Sequence, residues 1–416
     1  MSLSRREVSI GLVAAALVRC GERIVNPAPA EFPLGVASAD PTSDGVLLWT
    51  RYVGSEPLDA LVWRADAQAS TALELAASGE YARVEVSGLE PGTTYRYAFV
   101  AGTRRSPEGR FRTAPAAGTR PIVRLGATSC TKQGHSMSPL ARAAERELDA
   151  FLHLGDTVYA DGSLTVNDYR DVWASAFSNG NYQALRASTA LLATWDDHEI
   201  GNNWAGGNLG AERTAAGKQV FFEHMPARRT DRLWRSVRFG DTVEVFVLDS
   251  RGERDRAAGR YLSTEQMTWL KSALEASTAR FKLLMSSVPI SKFDVTFFSP
   301  FADDRWEGYP ASRAEILSHI DDRQIPGVLW VAGDFHLACS ARVSLDGPGK
   351  NAREVLVGPG GQLSNISPSY PSGPQFDWAS GINNFTQLEL DPATGIIRAS
   401  WVDGTGREFH TTELSV

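Results

Sequence analysis

The sequence has few cysteines: Cys20, Cys130 and Cys339 are the three among 416 residues. So low a number excludes the small disulfide-rich scaffolds, in which several bridges replace a large hydrophobic core. Cys130 and Cys339 could form one bridge, a question that their spacing leaves open. The sequence also lacks a run of about 18–20 apolar residues, the length that a membrane-spanning helix needs. Its net charge of −7 argues against nucleic-acid binding through a globally basic surface.

The composition is otherwise that of a soluble globular protein. Hydrophobic residues make up 43% of the chain and charged residues 22%. A chain of 416 residues is too long for one small domain and is long enough for a large core with a second module.

The N-terminal stretch has the pattern of a targeting segment. Arg5 and Arg6 precede a short apolar run, Ile10 to Val18, as in twin-arginine signals for the export of folded proteins. The letters "APA" at residues 28–30 fit a cleavage site. The alternative is an amphipathic helix without a targeting role. We therefore predict a signal peptide over residues 1–30, recognition by the twin-arginine export machinery, and a periplasmic or secreted location.

The next segment alternates short β-rich runs with turns and predicts a small β-sandwich domain over residues 32–115. Its most informative stretch is "LEPGTTYRY", residues 89–97, which contains Tyr95. Sandwich domains of the fibronectin type III kind place a tyrosine corner in such a stretch, where a tyrosine hydroxyl bonds to backbone a few residues upstream. We expect this domain to be structural.

From Ile122 onward, apolar strand-like runs alternate with helical patterns, which predicts an α/β layer architecture over residues 120–416. Five of the predicted strands end in polar clusters: "TSC", "GDTVY", "WDDHE", "LDSR" and "GDFH". Ligands of open α/β sheets gather at the carboxyl ends of the strands. Clusters of Asp, His, Cys and Tyr at five such ends predict a metal site.

The residue types in these clusters indicate which metals the site would bind. The thiolate of Cys130 and the phenolate of Tyr159 together suit Fe(III) better than Mg²⁺. Carboxylate-rich positions beside them would suit a harder divalent ion. Asp156 is the natural bridging carboxylate, which would hold two ions about 3.5–4 Å apart, the spacing used for hydrolytic displacement.

In their order along the chain, "TSC", "GDTVY", "TWDDHEIGNN", "LDSR" and "GDFH" resemble the motifs of the alkaline phosphatase D (PhoD-like) family of metallophosphatases. The stretch "FPLGVASADPTSDGVLLWTR" resembles the N-terminal sandwich domain of that family. The resemblance implies twin-arginine export and an αββα metallophosphoesterase sandwich core. It also implies hydrolysis of phosphate mono- and diesters by a metal-activated hydroxide, with Fe(III) and Ca²⁺ as cofactors.

The resemblance also implies roles for individual residues. Around the iron it places Cys130, Asp156, Tyr159, Asp334 and His336. Asp197 is the implied ligand of the second metal, with Asp196 a less favoured substitute, and His198 takes the role of the catalytic histidine. Asp197 could instead orient His198. Arg251 is predicted to contact a substrate phosphate, with a structural salt bridge as the alternative.

Simpler structural roles and other functions remain possible at this point. Cys130 could be a buried apolar-like residue and Tyr159 a packed aromatic. The loop "VGPGGQLSN" departs from the Thr/Ser-rich turn of many family members, which puts substrate contacts from this loop in doubt. Other functions are a phosphodiesterase or phospholipase D-like enzyme, a purple acid phosphatase, and a secreted binding protein with an inactive site. The purple acid phosphatase is disfavoured because the chain has "DDH" where that family needs an Asn-His pair.

Overall fold

The structure is a computed structural model that describes residues 29–416 apart from 69–71, 229–231, 294–302, 365–370 and 372. The predicted targeting segment, with its two arginines and its apolar run, therefore lies outside the described residues. None of the helices in the described part of the chain has the length and apolarity needed to cross a membrane.

The first part of the chain consists of strands. In chain order these are β1 (Val36–Ala39), β2 (Val46–Arg51), β3 (Leu58–Arg64), β4 (Leu73–Ala77), β5 (Tyr81–Val86), β6 (Thr94–Ala101), β7 (Arg104–Arg105) and β8 (Gly109–Arg112).

Strands and helices alternate in the larger part. Up to the middle of the chain they are β9 (Val123–Thr131), α1 (Ser138–Ala144), β10 (Ala150–Leu154), α2 (Val166–Phe177), α3 (Gly180–Ser188), β11 (Ala190–Thr194) and α4 (Ala211–His224). There follow β12 (Arg235–Phe239), β13 (Val243–Val247), α5 (Thr264–Ala276), β14 (Phe281–Met285), α6 (Pro310–Asp322), β15 (Val328–Ala332), β16 (Ala338–Arg342), β17 (Arg353–Leu356) and β18 (Pro359–Gly361). The last strands are β19 (Phe376–Ser380), β20 (Asn384–Asp391), β21 (Ile396–Asp403) and β22 (Glu408–Ser415).

The N-terminal segment forms the predicted β-sandwich. Strands β3, β4, β6, β7 and β8 make one antiparallel sheet, and β1, β2 and β5 face it across a core of apolar side chains. The tyrosine corner is confirmed, because the backbone N–H of Glu90 donates to the Tyr95 hydroxyl at 2.9 Å. One feature was not expected from the sequence. β1 pairs in parallel with β11, so the second sheet of the sandwich continues into the main sheet.

The larger part has the αββα architecture that the family resemblance implies. Two sheets pack face to face, one ordered β22-β21-β20-β9-β10-β11 and continuing into β1, the other ordered β12-β13-β14-β15-β17-β16-β19. Buried side chains such as Leu125, Leu152 and Leu283 fill the space between them. Helices α1–α4 cover the outer face of the first sheet, and α5 and α6 cover the outer face of the second.

This topology brings the polar clusters together. Strands β9, β10 and β11 are mutually parallel, so their carboxyl ends lie at one edge. Strands β13, β14 and β15 are also parallel. The clusters at the carboxyl ends of β9, β10 and β11 therefore meet those that follow β13 and β15.

Candidate metal centre

The backbone is unusual at four of the implied ligands. Cys130, Asp156, Asp334 and His336 have positive φ values of 56°, 54°, 66° and 49°. Among the described residues eight non-glycine positions share this property, and these four are half of them. Each such conformation costs on the order of 1–3 kcal/mol, and strain of this kind concentrates at functional sites. The strained backbone at these strand ends therefore indicates a functional site.

The first group of side chains surrounds Asp156. The Tyr159 hydroxyl lies 3.1 Å from Asp156 Oδ2 and 2.7 Å from His336 Nε2. Cys130 Sγ lies 3.5 Å from the same Oδ2 atom. Nδ1 of His336 faces the carbonyl oxygen of Leu363 at 2.9 Å, so the proton belongs on Nδ1 and Nε2 is the nitrogen suited to bind a metal.

A second group adds carboxylates on the other side of Asp156. Three sets of side chains bring their ligand atoms within 4.8 Å of one another, and Asp156 belongs to every one. The sets are Cys130, Asp156 and His336; Asp156, Asp197 and His198; and Asp156, Asp196, Asp197 and Asp334. This shared membership is what a bridging carboxylate requires.

The chemistry of these groups fits bound cations. Asp156 Oδ1 and Asp196 Oδ2 are buried without a hydrogen-bond partner, an arrangement that is costly unless a cation balances it. Burial and the Asp156 carboxylate raise the pKa values of the Cys130 thiol and the Tyr159 phenol well above their usual range. A cation would displace both protons, since metals bind the thiolate and the phenolate. Sulfur, nitrogen and phenolate donors in one cluster suit a transition metal.

His198 lies at the rim of this cluster. Its ring is 4.2 Å from the Tyr159 ring, centroid to centroid, and its Nδ1 atom is 2.6 Å from Asp161 Oδ1. Burial by itself lowers the pKa of His198, but the carboxylates of Asp156, Asp197 and Asp161 raise it to about 11. With these carboxylates unneutralised the imidazole is therefore protonated. Asp161 was not identified from the sequence, although it stands two residues after Tyr159.

Arg251 lies inside the carboxylate cluster. Its side chain has no exposed surface and forms ion pairs with Asp196 and Asp304. The same guanidinium lies 3.5 Å from Asp197 and 3.8 Å from Asp334. A salt bridge, the alternative role for this residue, is thus present, and contact of Arg251 with a substrate phosphate stays a prediction.

Glu199 is a further residue that sequence reasoning missed. Its side chain is fully buried and accepts backbone hydrogen bonds from Thr157 N–H at 2.6 Å and Asp196 N–H at 2.9 Å. One carboxylate thereby joins the "GDTVY" loop to the "WDDHE" loop. The glutamate is visible in the second motif, but its role depends on two backbone positions that only the fold brings together.

The sequence leaves open whether Cys339 pairs with Cys130 and what the Gly-rich loop "VGPGGQLSN" does. Cys130 and Cys339 are both buried, free thiols, so the possible bridge between them does not form. Within "VGPGGQLSN", β18 pairs with β9, and Leu363 supplies the carbonyl oxygen that orients His336. The loop therefore supports the candidate metal-binding cluster.

Known proteins resemble this chain in sequence over most of its length. The family model of the PhoD-like phosphatase matches residues 125–364, and that of the PhoD-like phosphatase N-terminal domain matches residues 19–115. Alkaline phosphatase D of Bacillus subtilis (strain 168) is 31% identical over 412 residues, covering 82% of this chain and 70% of the relative.

Two solved structures share the fold. A structure of PhoD superposes with a TM-score of 0.79 at 24% identity, covering 95% of this chain and 90% of the other. The purple acid phosphatase PPD1 from yellow lupin seeds superposes with a TM-score of 0.70 at 13% identity, covering 92% of this chain and 73% of the other. The family model and the Bacillus relative confirm the resemblance drawn from the motifs, and the chain belongs to the PhoD-like phosphatase family of phosphoesterases.

Proposed function

We propose that the chain is an exported enzyme that hydrolyses phosphate monoesters, diesters or both with the help of Fe(III) and a divalent ion, Ca²⁺. The observation that carries the proposal is the meeting of a thiol, a phenol, an imidazole and several carboxylates around Asp156. Thiolate and phenolate donors favour a highly charged transition ion, whereas carboxylates favour Ca²⁺.

The proposed ligands divide between two cations. Those of the iron are Cys130, Asp156, Tyr159, Asp334 and His336. Asp197 is the proposed ligand of the divalent ion, with the Asp156 carboxylate shared. Asp196 is the less favoured substitute in that role: its Oδ1 atom pairs with Arg251, which leaves only Oδ2 free.

The side chains would divide the work of hydrolysis as follows. Cations held here would make hydroxide available near neutral pH and offset the charge of the phosphate oxygens. Asp161 holds Nδ1 of His198, which leaves Nε2 to donate a proton to the departing oxygen of the ester. Arg251 neutralises the buried carboxylates of Asp196 and Asp304 and so keeps the cluster compact.

The test combines metal analysis with paired substrates. Elemental analysis of the native protein should find iron, and the hydrolysis of p-nitrophenyl phosphate beside bis(p-nitrophenyl) phosphate should show whether mono- or diesterase activity dominates. A strong preference for the diester would favour the phosphodiesterase or phospholipase D-like alternative. Protein that holds no iron and hydrolyses neither ester after reconstitution with Fe(III) and Ca²⁺ would instead be a binding protein.

We also propose export by the twin-arginine route, on the pattern of Arg5, Arg6 and the apolar run that follows. Replacing both arginines by lysine should retain the protein in the cytoplasm, as measured by fractionation. The change Arg19→Lys, outside the twin-arginine pair, is the matched control and should leave export intact. Normal export of the double variant would rule out this route.

A further inference from the structure

Lys132 follows strand β9 directly and lies beside the proposed iron ligand Tyr159. Its ammonium is 5.3 Å from the centroid of the Tyr159 ring, and the side chain is partly exposed. His198 packs against the same ring. A positive charge therefore stands beside the proposed iron ligand, whose ring also contacts the residue proposed to protonate the departing oxygen.

The backbone around Lys132 is firmly held. Its N–H donates to the carbonyl oxygen of Gly361 at 3.1 Å. The side-chain amide of the next residue, Gln133, binds the Tyr159 backbone twice, donating to its carbonyl oxygen at 2.8 Å and accepting from its N–H at 3.1 Å. The backbone at Lys132 is thus held to that of Gly361, and the neighbouring Gln133 is held to the backbone of Tyr159.

Lys132 differs from Arg251 in what surrounds its charge. Arg251 is fully buried and bound to carboxylates. Among the residues that the structure describes, no carboxylate forms an ion pair with Lys132, and its one charge-related contact is the Tyr159 ring. Lys132 is therefore a cation at this rim that remains available to an anionic ligand.

We propose that Lys132 binds an unesterified oxygen of the substrate phosphate and gives the enzyme a preference for monoester dianions. The inference rests on the proposed function, because it assumes phosphate ester hydrolysis at this cluster. A monoester dianion carries one more unsubstituted, charge-bearing oxygen than a diester monoanion. An ammonium at the rim attracts that oxygen, whereas a diester places an uncharged, substituted oxygen there.

The experiment compares Lys132→Met, Lys132→Arg and, as a control for the loss of one positive charge, Lys271→Met on helix α5, where Lys271 pairs with Glu315. For Lys132→Met, we expect kcat/KM on p-nitrophenyl phosphate to fall roughly tenfold or more, mainly through KM, because a charge-assisted hydrogen bond is lost. The value of kcat/KM on the diester bis(p-nitrophenyl) phosphate should change by less than roughly threefold. Inhibition by inorganic phosphate should weaken in parallel with the monoester effect.

The control variants and a metal measurement separate this role from a purely structural one. Lys132→Arg should restore most of the monoester activity and phosphate inhibition, and Lys271→Met should match the native protein. Iron content should stay unchanged in Lys132→Met, and any visible absorption band from Tyr159 should still be present, because no ligand is altered.

Three outcomes would overturn the proposal. Equal losses on both esters, unaltered phosphate inhibition, or loss of iron would each show that Lys132 merely supports the Tyr159 ring. Absence of hydrolysis of either ester by the native, metal-loaded protein is a different result, because it removes the proposed function and with it the role of Lys132.

Discussion

Among single residues, Tyr159 carries the most information about the metal. The change Tyr159→Phe removes the phenol but keeps the ring that packs against His198 and lies beneath Lys132. Because phenolate would be the iron donor, we expect loss of any visible charge-transfer band and a fall in kcat of about 100-fold or more. Iron content, the visible spectrum and ester hydrolysis measure the effect.

The control for Tyr159→Phe is Tyr97→Phe. Tyr97 is a fully buried tyrosine in the N-terminal sandwich, so the change removes a buried hydroxyl away from the cluster. We expect it to leave the spectrum and kcat as they are. Full activity and a normal visible band in Tyr159→Phe would contradict the assignment of this residue as a ligand.

The sequence identified candidate site residues where they form part of a local motif. Asp156 and Tyr159 could be singled out because a strand-end Gly-Asp turn and an aromatic three residues later form a recognisable motif. Asp161 and Lys132 could not be singled out, because a charged residue in a loop is usually solvated. Only the folded chain shows that Asp161 binds His198 and that Lys132 lies against the Tyr159 ring.

At the scale of elements, the candidate metal cluster depends on loops that follow parallel strands, and Glu199 joins two of them. Glu199→Gln replaces one of the two acceptor oxygens with an NH₂ group that faces a backbone N–H. The loop after β10 and the loop after β11 should then separate slightly. We expect the affinity for iron to fall by about 10- to 100-fold, measured by competition with a chelator.

A matched control exists in the second sheet. Glu354 is likewise fully buried and accepts from the N–H groups of Ile290 at 2.8 Å and Ser291 at 2.9 Å. Glu354→Gln should lower the free energy of unfolding by about 1–3 kcal/mol, as Glu199→Gln should, since each leaves a buried donor unpaired. Only Glu199→Gln should weaken iron binding. Equal iron affinity in the two variants would show that Glu199 has no positioning role.

Local sequence patterns specify some elements and not others, for physical reasons. Helix α2 has a readable signal, since Tyr169, Trp173 and Phe177 recur every four residues behind a capping box formed by Thr165 and Asp168. The parallel pairing of β1 with β11 has none. It joins residues such as Ser38 and Ala190, and no local pattern specifies a partner so distant in sequence.

That pairing matters for the whole molecule, because the N-terminal sandwich shares a sheet with the catalytic part. Other contacts reinforce it. The Trp49 indole N–H donates to the carbonyl oxygen of Glu223 at 2.8 Å, and the buried carboxylate of Asp40 binds Arg235 at 2.7 Å. We therefore propose that the predicted segments 32–115 and 120–416 unfold as one unit, although their composition and pattern differ.

Calorimetry of the chain without residues 1–30, the predicted targeting segment, should accordingly show one transition, with equal calorimetric and van't Hoff enthalpies. The variant Tyr95→Phe sharpens the test, because it removes the bond to Glu90 at the far corner of the sandwich and should cost about 1 kcal/mol. If the chain unfolds as one cooperative unit, this change lowers the temperature of the single transition. Ester hydrolysis is then lost at the same, lower temperature. If the two segments were independent units, this change would instead produce a separate transition at lower temperature that leaves ester hydrolysis unchanged.

A fragment of residues 116–416 should fail to fold, since β11 would become an exposed edge. A soluble, metal-loaded fragment would contradict the shared-sheet interpretation.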